Sequence, residues 1–333
     1  MNAPPRPGEE ALIARYFAPL AGPAGLGLKD DAACLSPPAD HDLVVTKDAL
    51  VAGVHFFADD PPDTIAQKAL RVNLSDLAAK AAEPAGFLLA LALPGSWTET
   101  WLAEFARGLG EDAAMFGCPL LGGDTVSTPG PLTLSVTALG FVPRGRMVRR
   151  RTAQPGDMLF VSGSVGDAAL GLALRNSTRD GAWMASLDAA ARAHLVARYL
   201  LPQPRLALRT ALRDHASAAM DISDGLAGDC AKMLDGLGLS ARIDLGRLPL
   251  SHAARAVLIA APALMEVAAT GGDDYEILCA VPAARARDFA IAAKEAGTPV
   301  SAIGAVIAGD EPPQFFSAQG TQVMFARGSF SHF

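Results

Sequence analysis

The sequence predicts an α/β (α+β) chain of two domains, and three observations carry that prediction. Apolar runs of strand length alternate with helix-periodic stretches in both halves of the chain. The chain has 333 residues, 50% of them hydrophobic, which is enough for two packed cores. Between the halves, Pro143 to Pro155 carries Arg144, Arg146, Arg149, Arg150 and Arg151 and reads as a linker. The expected division is therefore 1–148 and 149–333.

The elements follow in order. Glu9–Phe17 reads as a helix ahead of a Pro/Gly segment, and Leu43–Thr46 as a strand. Asp63–Ala82 places Ala66, Leu70, Leu74, Leu77 and Ala81 on one face at helical spacing, with Asn73, Asp76 and Lys80 along another edge. Phe87–Leu93 is a strand closed by Pro94-Gly95, Trp97–Phe116 a helix, and Pro119–Leu121 a short buried strand before a Gly-Gly-Asp turn. Leu132–Val142 alternates as a strand. In the second half, strands are expected at Asp157–Ser162, Ala218–Ile222, Ser240–Leu245, Tyr275–Val281 and Val300–Ile307, the last closing the pattern. Helices are expected at Asp167–Leu174, Leu187–Tyr199, Arg205–His215, Leu226–Leu237, Ala253–Ala260 and Ala283–Ala296.

Composition narrows the function classes. A net charge of −7 argues against a nucleic-acid partner, which needs a basic face. The four cysteines are far apart and form no Cys-x-x-Cys pair, so neither a zinc knuckle nor a disulfide framework is expected. The first ten residues lack the apolar core of a signal peptide, and no stretch approaches the ~18 apolar residues of a membrane span. A cytoplasmic protein is the expectation.

Acidic motifs point to chemistry. They are Asp30-Asp31, Thr46-Lys47-Asp48, Asn73-Leu74-Ser75-Asp76, Gly122-Gly123-Asp124-Thr125, Asp221-Ile222-Ser223-Asp224-Gly225 and Gly271-Gly272-Asp273-Asp274-Tyr275-Glu276. Carboxylates converging on one pocket repel one another unless cations sit between them, and hard oxygen ligands suit Mg²⁺. The usual companion of Mg²⁺ is a polyphosphate, so a magnesium–nucleotide enzyme is expected, one without a Gly-x-x-x-x-Gly-Lys-Ser/Thr loop. Each motif also has an ordinary reading. Thr46 and Asp48 share a strand face and Lys47 the other, as any solvated strand end does. Asp76 and Lys80 form an i, i+4 pair. Gly122-Gly123-Asp124 reads as a tight turn and Asp224 as a helix N-cap. Asp221 is harder to dismiss, because Ala218, Ala219, Met220 and Ile222 bury its surroundings. Arg150 is one of a basic cluster, and His55 one of six histidines.

Taken in order, these motifs resemble the thiamine-monophosphate kinase family. The matching segments are Asp30-Asp31-Ala32-Ala33, Thr-x-Asp-x-Leu-Val-x-Gly-Val-His-Phe at 46–56, Asn-Leu-Ser-Asp-Leu-Ala-Ala at 73–79, Gly-Gly-Asp-Thr at 122–125 and Pro-Gly-Asp at 155–157. Asp-Ile-Ser-Asp-Gly-Leu at 221–226, Gly-Gly-Asp-Asp-Tyr-Glu at 271–276 and the closing Phe330-Ser331-His332-Phe333 complete the set. The resemblance implies the two-domain fold of the aminoimidazole ribonucleotide synthetase superfamily. Its N-terminal sheet would pair across a homodimer, and its C-terminal α/β sandwich would close an active-site cleft. It implies phosphoryl transfer from ATP to thiamine monophosphate, assisted by several Mg²⁺ ions, with thiamine diphosphate as product. The metal ligands implied are Asp31, Thr46, Lys47 through its carbonyl, Asp48, Asp76, Asp124, Asp221 and Asp224. Asp48, Asp76 and Asp124 would be central to catalysis. Gly123, Asp124, Arg150, Ser223 and Phe116 would meet the nucleotide, and His55, Asp273 and Phe330 the thiamine phosphate. Lys29, Lys47, Ala49, Lys80-Ala81 and Asp273 depart from the residues usual in the family. The sister reactions fit less well: the hydrogenase-maturation relative needs a C-terminal cysteine, and the last here is Cys279. The selenophosphate enzyme needs a reactive N-terminal cysteine or selenocysteine, and Cys34 is not in that setting. Aminoimidazole ribonucleotide synthesis and a non-catalytic nucleotide-binding regulator are the remaining alternatives.

Overall fold

Alternation along His41–Val51 sets the first sheet. A computed structural model describes residues 8–176 and 181–326. The chain divides into one unit formed by the residues up to Leu77 with Ala82–Gly145, and a second formed by Ala78–Ala81 with the chain from Arg146 onward.

The first unit holds a four-stranded sheet of β1 (His41–Val51), β2 (Glu83–Pro94), β3 (Leu120–Thr128) and β4 (Thr133–Pro143), in the order β1-β4-β2-β3. Only the β2–β3 pairing is parallel. Val44 and Leu50 of β1 are buried, while Leu43 before them and Val45, Lys47 and Ala49 between them are exposed. The α-helices described in this unit are α1 (Glu9–Leu12), α2 (Pro62–Ala79) and α3 (Glu99–Met115). Helix α3 is capped by Thr98, whose side chain accepts from the Trp101 amide at 3.1 Å, an interaction worth about 1 kcal/mol. On α2 the expected stripe is fully buried at Ala66, Leu70, Leu74 and Leu77, each leucine contributing up to about 1.5–3 kcal/mol. The expected polar edge is different. Asn73 and Ser75 are 0% exposed and Lys68 and Arg71 are buried too, so α2 is a core helix on almost every side. It stops before Ala82, the expected end, because Ala81 has φ 58°, in the left-handed region.

The second unit holds a seven-stranded sheet of β5 (Met158–Ser162), β6 (Ala218–Asp221), β7 (Leu239–Asp244), β8 (Ile277–Val281), β9 (Val300–Ala308), β10 (Gln314–Phe316) and β11 (Gln322–Val323), in the order β11-β10-β7-β9-β5-β8-β6. Val300–Ile307 therefore does not close the pattern. Two short strands follow it, and β10 pairs with β7 in parallel. Both are too short for periodicity to reveal. The helices are α4 (Asp167–Asn176), α5 (Ala182–Ala185), α6 (Ala189–Leu200), α7 (Arg209–His215), α8 (Leu226–Leu234), α9 (His252–Ala260), α10 (Met265–Thr270) and α11 (Ala286–Glu295). Leu159 and Val161 of β5 pack in one core with Leu226, Cys230 and Met233 of α8. Phe160, between them, points to the other face, where its ring meets Phe289 of α11 edge-on at 5.3 Å. Helices thus cover both faces of this sheet. A separate cluster joins α4, α6 and α9 through Leu170, Leu195, Ala254 and Val257.

Candidate active site

In the first unit, Gly122-Gly123-Asp124 is strand rather than turn, because β3 runs through it to Thr128. The register sets Gly123 beside Leu89 and Asp124 beside Ala90. A Cβ at Gly123 would lie 1.9 Å from the Leu89 carbonyl oxygen, so glycine there allows the two backbones to approach. A cavity of about 660 Å³ opens against this segment, lined by Asp30, Asp31, Gly122, Gly123, Asp124 and Thr125 among others. That size suits a drug-sized or nucleotide-sized ligand, whose pockets run to about 300–1,000 Å³. Asp31 and Asp124 are both exposed, and Asp124 takes no side-chain partner among the described residues.

Thr46, Asp48 and Asp76 are not in that lining. Strand alternation turns Thr46 and Asp48 toward α2 and leaves Lys47 exposed on the other face. The Thr46 hydroxyl donates to Asp76. The Asp48 amide donates to Asn73 Oδ1 at 3.1 Å, while Asn73 Nδ2 donates to the Ala69 carbonyl at 3.0 Å. Asn73 is therefore a buried clasp between β1 and α2, a role its place in the sequence did not reveal.

His55 sits in a tied loop. Its Nδ1 accepts from the Val51 amide at 3.0 Å, which leaves the ring proton of the neutral form on Nε2. Its carbonyl accepts from buried Lys68 at 3.0 Å, and Asp60 accepts from the Phe57 amide at 3.0 Å. Phe116 ends α3 beneath the Arg71 guanidinium, 5.5 Å from the ring centre, and Arg71 is itself paired with fully buried Asp112 at 2.6 Å.

In the second unit, Asp221 is the buried last residue of β6. Asp224 is not the N-cap of α8. That position is Gly225, at φ 102°, where a Cβ would meet the Thr270 carbonyl oxygen at 2.4 Å. The capping acceptor is Asp229, inside the helix, whose Oδ2 takes the amides of Ser223 and Asp224 at 2.9 Å each. Burial pushes the Asp229 carboxyl up against the pull of Lys232. The Lys232 ammonium bonds Asp224 and, at 2.9 Å, Asp229. Asp229 and Lys232 lie outside the acidic motifs of the sequence. The signal was an acid one turn into a helix with a lysine three residues on.

The 271–276 motif is locked beside 222–224. The Asp273 amide donates to the Ser223 carbonyl at 2.9 Å and the Tyr275 amide to the Ile222 carbonyl at 2.8 Å. Asp273 itself holds φ 72°. Asp274 accepts from the Gly166 amide at 2.7 Å, and complete burial holds its carboxyl well above the usual range. Glu276 is fully buried and takes Arg205, Arg198 at 2.9 Å and the Ser162 hydroxyl at 2.6 Å. Two of the motif's acids thus organise the fold. Arg150 is exposed and lines a second cavity, of about 400 Å³, with Arg151 and Lys232. Phe330 lies outside the described residues.

Among the described residues, no three His, Cys, Asp or Glu side chains are gathered tightly enough to cage a metal. The donors still fit Mg²⁺, which usually takes one or two carboxylates, several waters and phosphate oxygens rather than an all-protein cage. Asp31 and Asp124 offer hard oxygens on one cavity. Asp224 already carries a cation, the Lys232 ammonium.

The chain matches the family "AIR synthase related protein, N-terminal domain" over residues 29–142 and "AIR synthase related protein, C-terminal domain" over 154–312. The thiamine-monophosphate kinase of Caulobacter vibrioides is 47% identical over 318 residues, covering 94% of this chain and 88% of that protein. The crystal structure of thiamine-monophosphate kinase from Stenotrophomonas maltophilia superposes with a TM-score of 0.76 at 38% identity, covering 89% of this chain and 91% of that one. AaThiL complexed with AMPPCP and TMP superposes with a TM-score of 0.73 at 27% identity, covering 98% and 94%. Matched almost end to end at such identity, in both domains and in the order of its motifs, the chain belongs to the thiamine-monophosphate kinase family of the AIR synthase-related proteins.

Proposed function

We propose that this chain transfers the γ-phosphoryl group of ATP to thiamine monophosphate, giving thiamine diphosphate and ADP. The observation that carries the reading is the near-full-length, 47% match to the Caulobacter vibrioides kinase. The AaThiL complex with AMPPCP and TMP supports the same pair of substrates.

The acceptor is already a phosphate, so its attacking oxygen needs no strong general base. What the reaction needs is alignment and charge neutralisation. We assign residues 1–148 to binding nucleotide and magnesium. Asp31 and Asp124 would hold the metal on the larger cavity, beside Gly123. Asp48 and Asp76, Thr46 and the Lys47 carbonyl would serve as further ligands in the first unit, and Asp221 and Asp224 are assigned as metal ligands within the second. Bound magnesium would draw charge from the phosphate oxygens and align donor with acceptor. Ser223, Phe116 and Arg150 would contact the nucleotide. His55, in a loop tied by Lys68 and Asp60, is assigned to the thiamine phosphate, as is Asp273.

A homodimer belongs to the same reading. Leu43, Val45, Leu88 and Val126 of the four-stranded sheet are 39–55% exposed. Val45 pairs with Leu139 and Leu88 with Thr137, which places them on one face with that leucine. An apolar sheet face of this kind suits a second copy of itself. No helix among the described residues is long and apolar enough to cross a membrane.

The test is ADP formation from Mg-ATP and thiamine monophosphate, with thiamine diphosphate identified by chromatography. One thiamine diphosphate per ADP, abolished by EDTA, is the expected result. A folded protein that binds ATP but makes no thiamine diphosphate would overturn the assignment.

A further inference from the structure

Lys232 is placed unusually for a surface lysine. It lies in the last turn of α8, and its ammonium turns back to the start of the helix, where it bonds Asp224 and, at 2.9 Å, Asp229. The side chains of Lys232 and Asp224 are 39% and 35% exposed, whereas that of Asp229 is 1% exposed. Asp229 is already committed to the amides of Ser223 and Asp224. Asp224 has no such second task among the bonds described, and an incoming cation can reach it. Lys232 also lines the cavity that holds Arg150 and Arg151, so it has an open, solvated place to go when it leaves Asp224.

We propose that Lys232 is a resident cation that occupies Asp224 until a divalent ion displaces it, and so sets how tightly the second unit's acidic loop takes that ion. This rests on the reading of Asp224 as a metal ligand. Until that displacement the ammonium offsets the charge of Asp224 beside buried Asp229. Lysine suits such a role better than arginine, because a single-point ammonium releases more readily than a bidentate guanidinium fork. After displacement the ammonium turns into the solvated cavity it already lines, where Asp235, Asp310 and Glu311 offset Arg150 and Arg151. Lys232 is thus a positioning residue for the loop and a competitor for its metal.

The test is a Mn²⁺ titration of the full chain without nucleotide, following free Mn²⁺ by electron paramagnetic resonance. Removing one positive charge a few ångströms away in a partly solvated site makes Lys232→Met bind Mn²⁺ roughly tenfold more tightly. That gain should vanish in an Asp224→Asn background. Unchanged or weaker binding in folded Lys232→Met would overturn the proposal, as would a gain that survives loss of Asp224. A second readout needs no variant. Saturating Mg²⁺ should raise the reactivity of the Lys232 amine toward an acylating reagent several-fold, read by mass spectrometry, and unchanged or lower reactivity would also overturn it. Neither readout needs turnover, so a failed kinase assay and a failed exchange are distinguished.

Discussion

Acidic residues that look alike in sequence are used in opposite ways in two regions of the molecule. In the first, Asp31 and Asp124 stand exposed on a cavity, Asp124 without a side-chain partner among the described residues. In the second, Asp229, Asp274 and Glu276 are buried and bonded to amides, lysine or arginine. A carboxylate left exposed beside a cavity can serve a ligand, whereas one bonded on every side can only serve the fold. Sequence motifs do not make that distinction: Gly-Gly-Asp occurs in both units, at 122–124 and 271–273.

The contrast can be broken in four ways, and the largest effect should come from the exposed side. Asp124→Asn should lower kcat by roughly 10²–10³-fold, on the scale of losing one charge-stabilising group in a transition state. Its melting temperature should stay close to the parent's, and near-normal turnover would remove Asp124 from the mechanism. Glu276→Gln should do the reverse. It leaves Arg198 and Arg205 facing a neutral partner and should cost about 3 kcal/mol in urea unfolding, as broken buried pairs do. An unchanged unfolding midpoint would show that the two arginines do not depend on that charge.

Asp274 sharpens the comparison through pH. Its folded-state value is raised above the ordinary 3.8 by burial, so the folded chain holds this proton more tightly than the unfolded chain does. The stability it contributes is therefore present below the ordinary value and is lost as pH rises through the raised one. The parent should lose up to about 1.4 kcal/mol per pH unit within that window relative to Asp274→Asn. Parallel stability curves for the two proteins would show that the carboxyl does not titrate there. The smallest effect concerns the turn after α2. Ala81 holds φ 58°, which costs a non-glycine residue about 1 kcal/mol. Part of that gain is offset by the freer unfolded glycine chain, so Ala81→Gly should raise stability by about 0.5 kcal/mol. A lower melting temperature would mean that the methyl group, 2% exposed as Ala81 is, packs better than the backbone is strained.

Much of this was legible in the sequence, for identifiable reasons. Long periodic segments declared themselves: α2, α3 and β4 lie within a few residues of where Leu70, Leu109 and Val136 place them. Motif order was enough for the family. What stayed hidden depended on partners far along the chain. Asn73 looked like a polar edge because its clasp on Asp48 spans 25 residues. Arg198 and Arg205 carried no local signal, since the charge they serve lies 78 and 71 residues away. The strand conformation of Gly122-Gly123-Asp124 was masked by its glycines, which ordinarily mark turns. Two-residue β11 and three-residue β10 fall below any periodic signal.

Gly123 carries a consequence for anyone screening variants. Because a Cβ there would press 1.9 Å from the Leu89 carbonyl, every replacement must push β3 away from β2 and carry its neighbour Asp124 along. A screen that counts only lost growth would score position 123 as chemically essential. It would be recording a lack of room, and the most sensitive position on the strand that carries Asp124 would be one with no functional group at all.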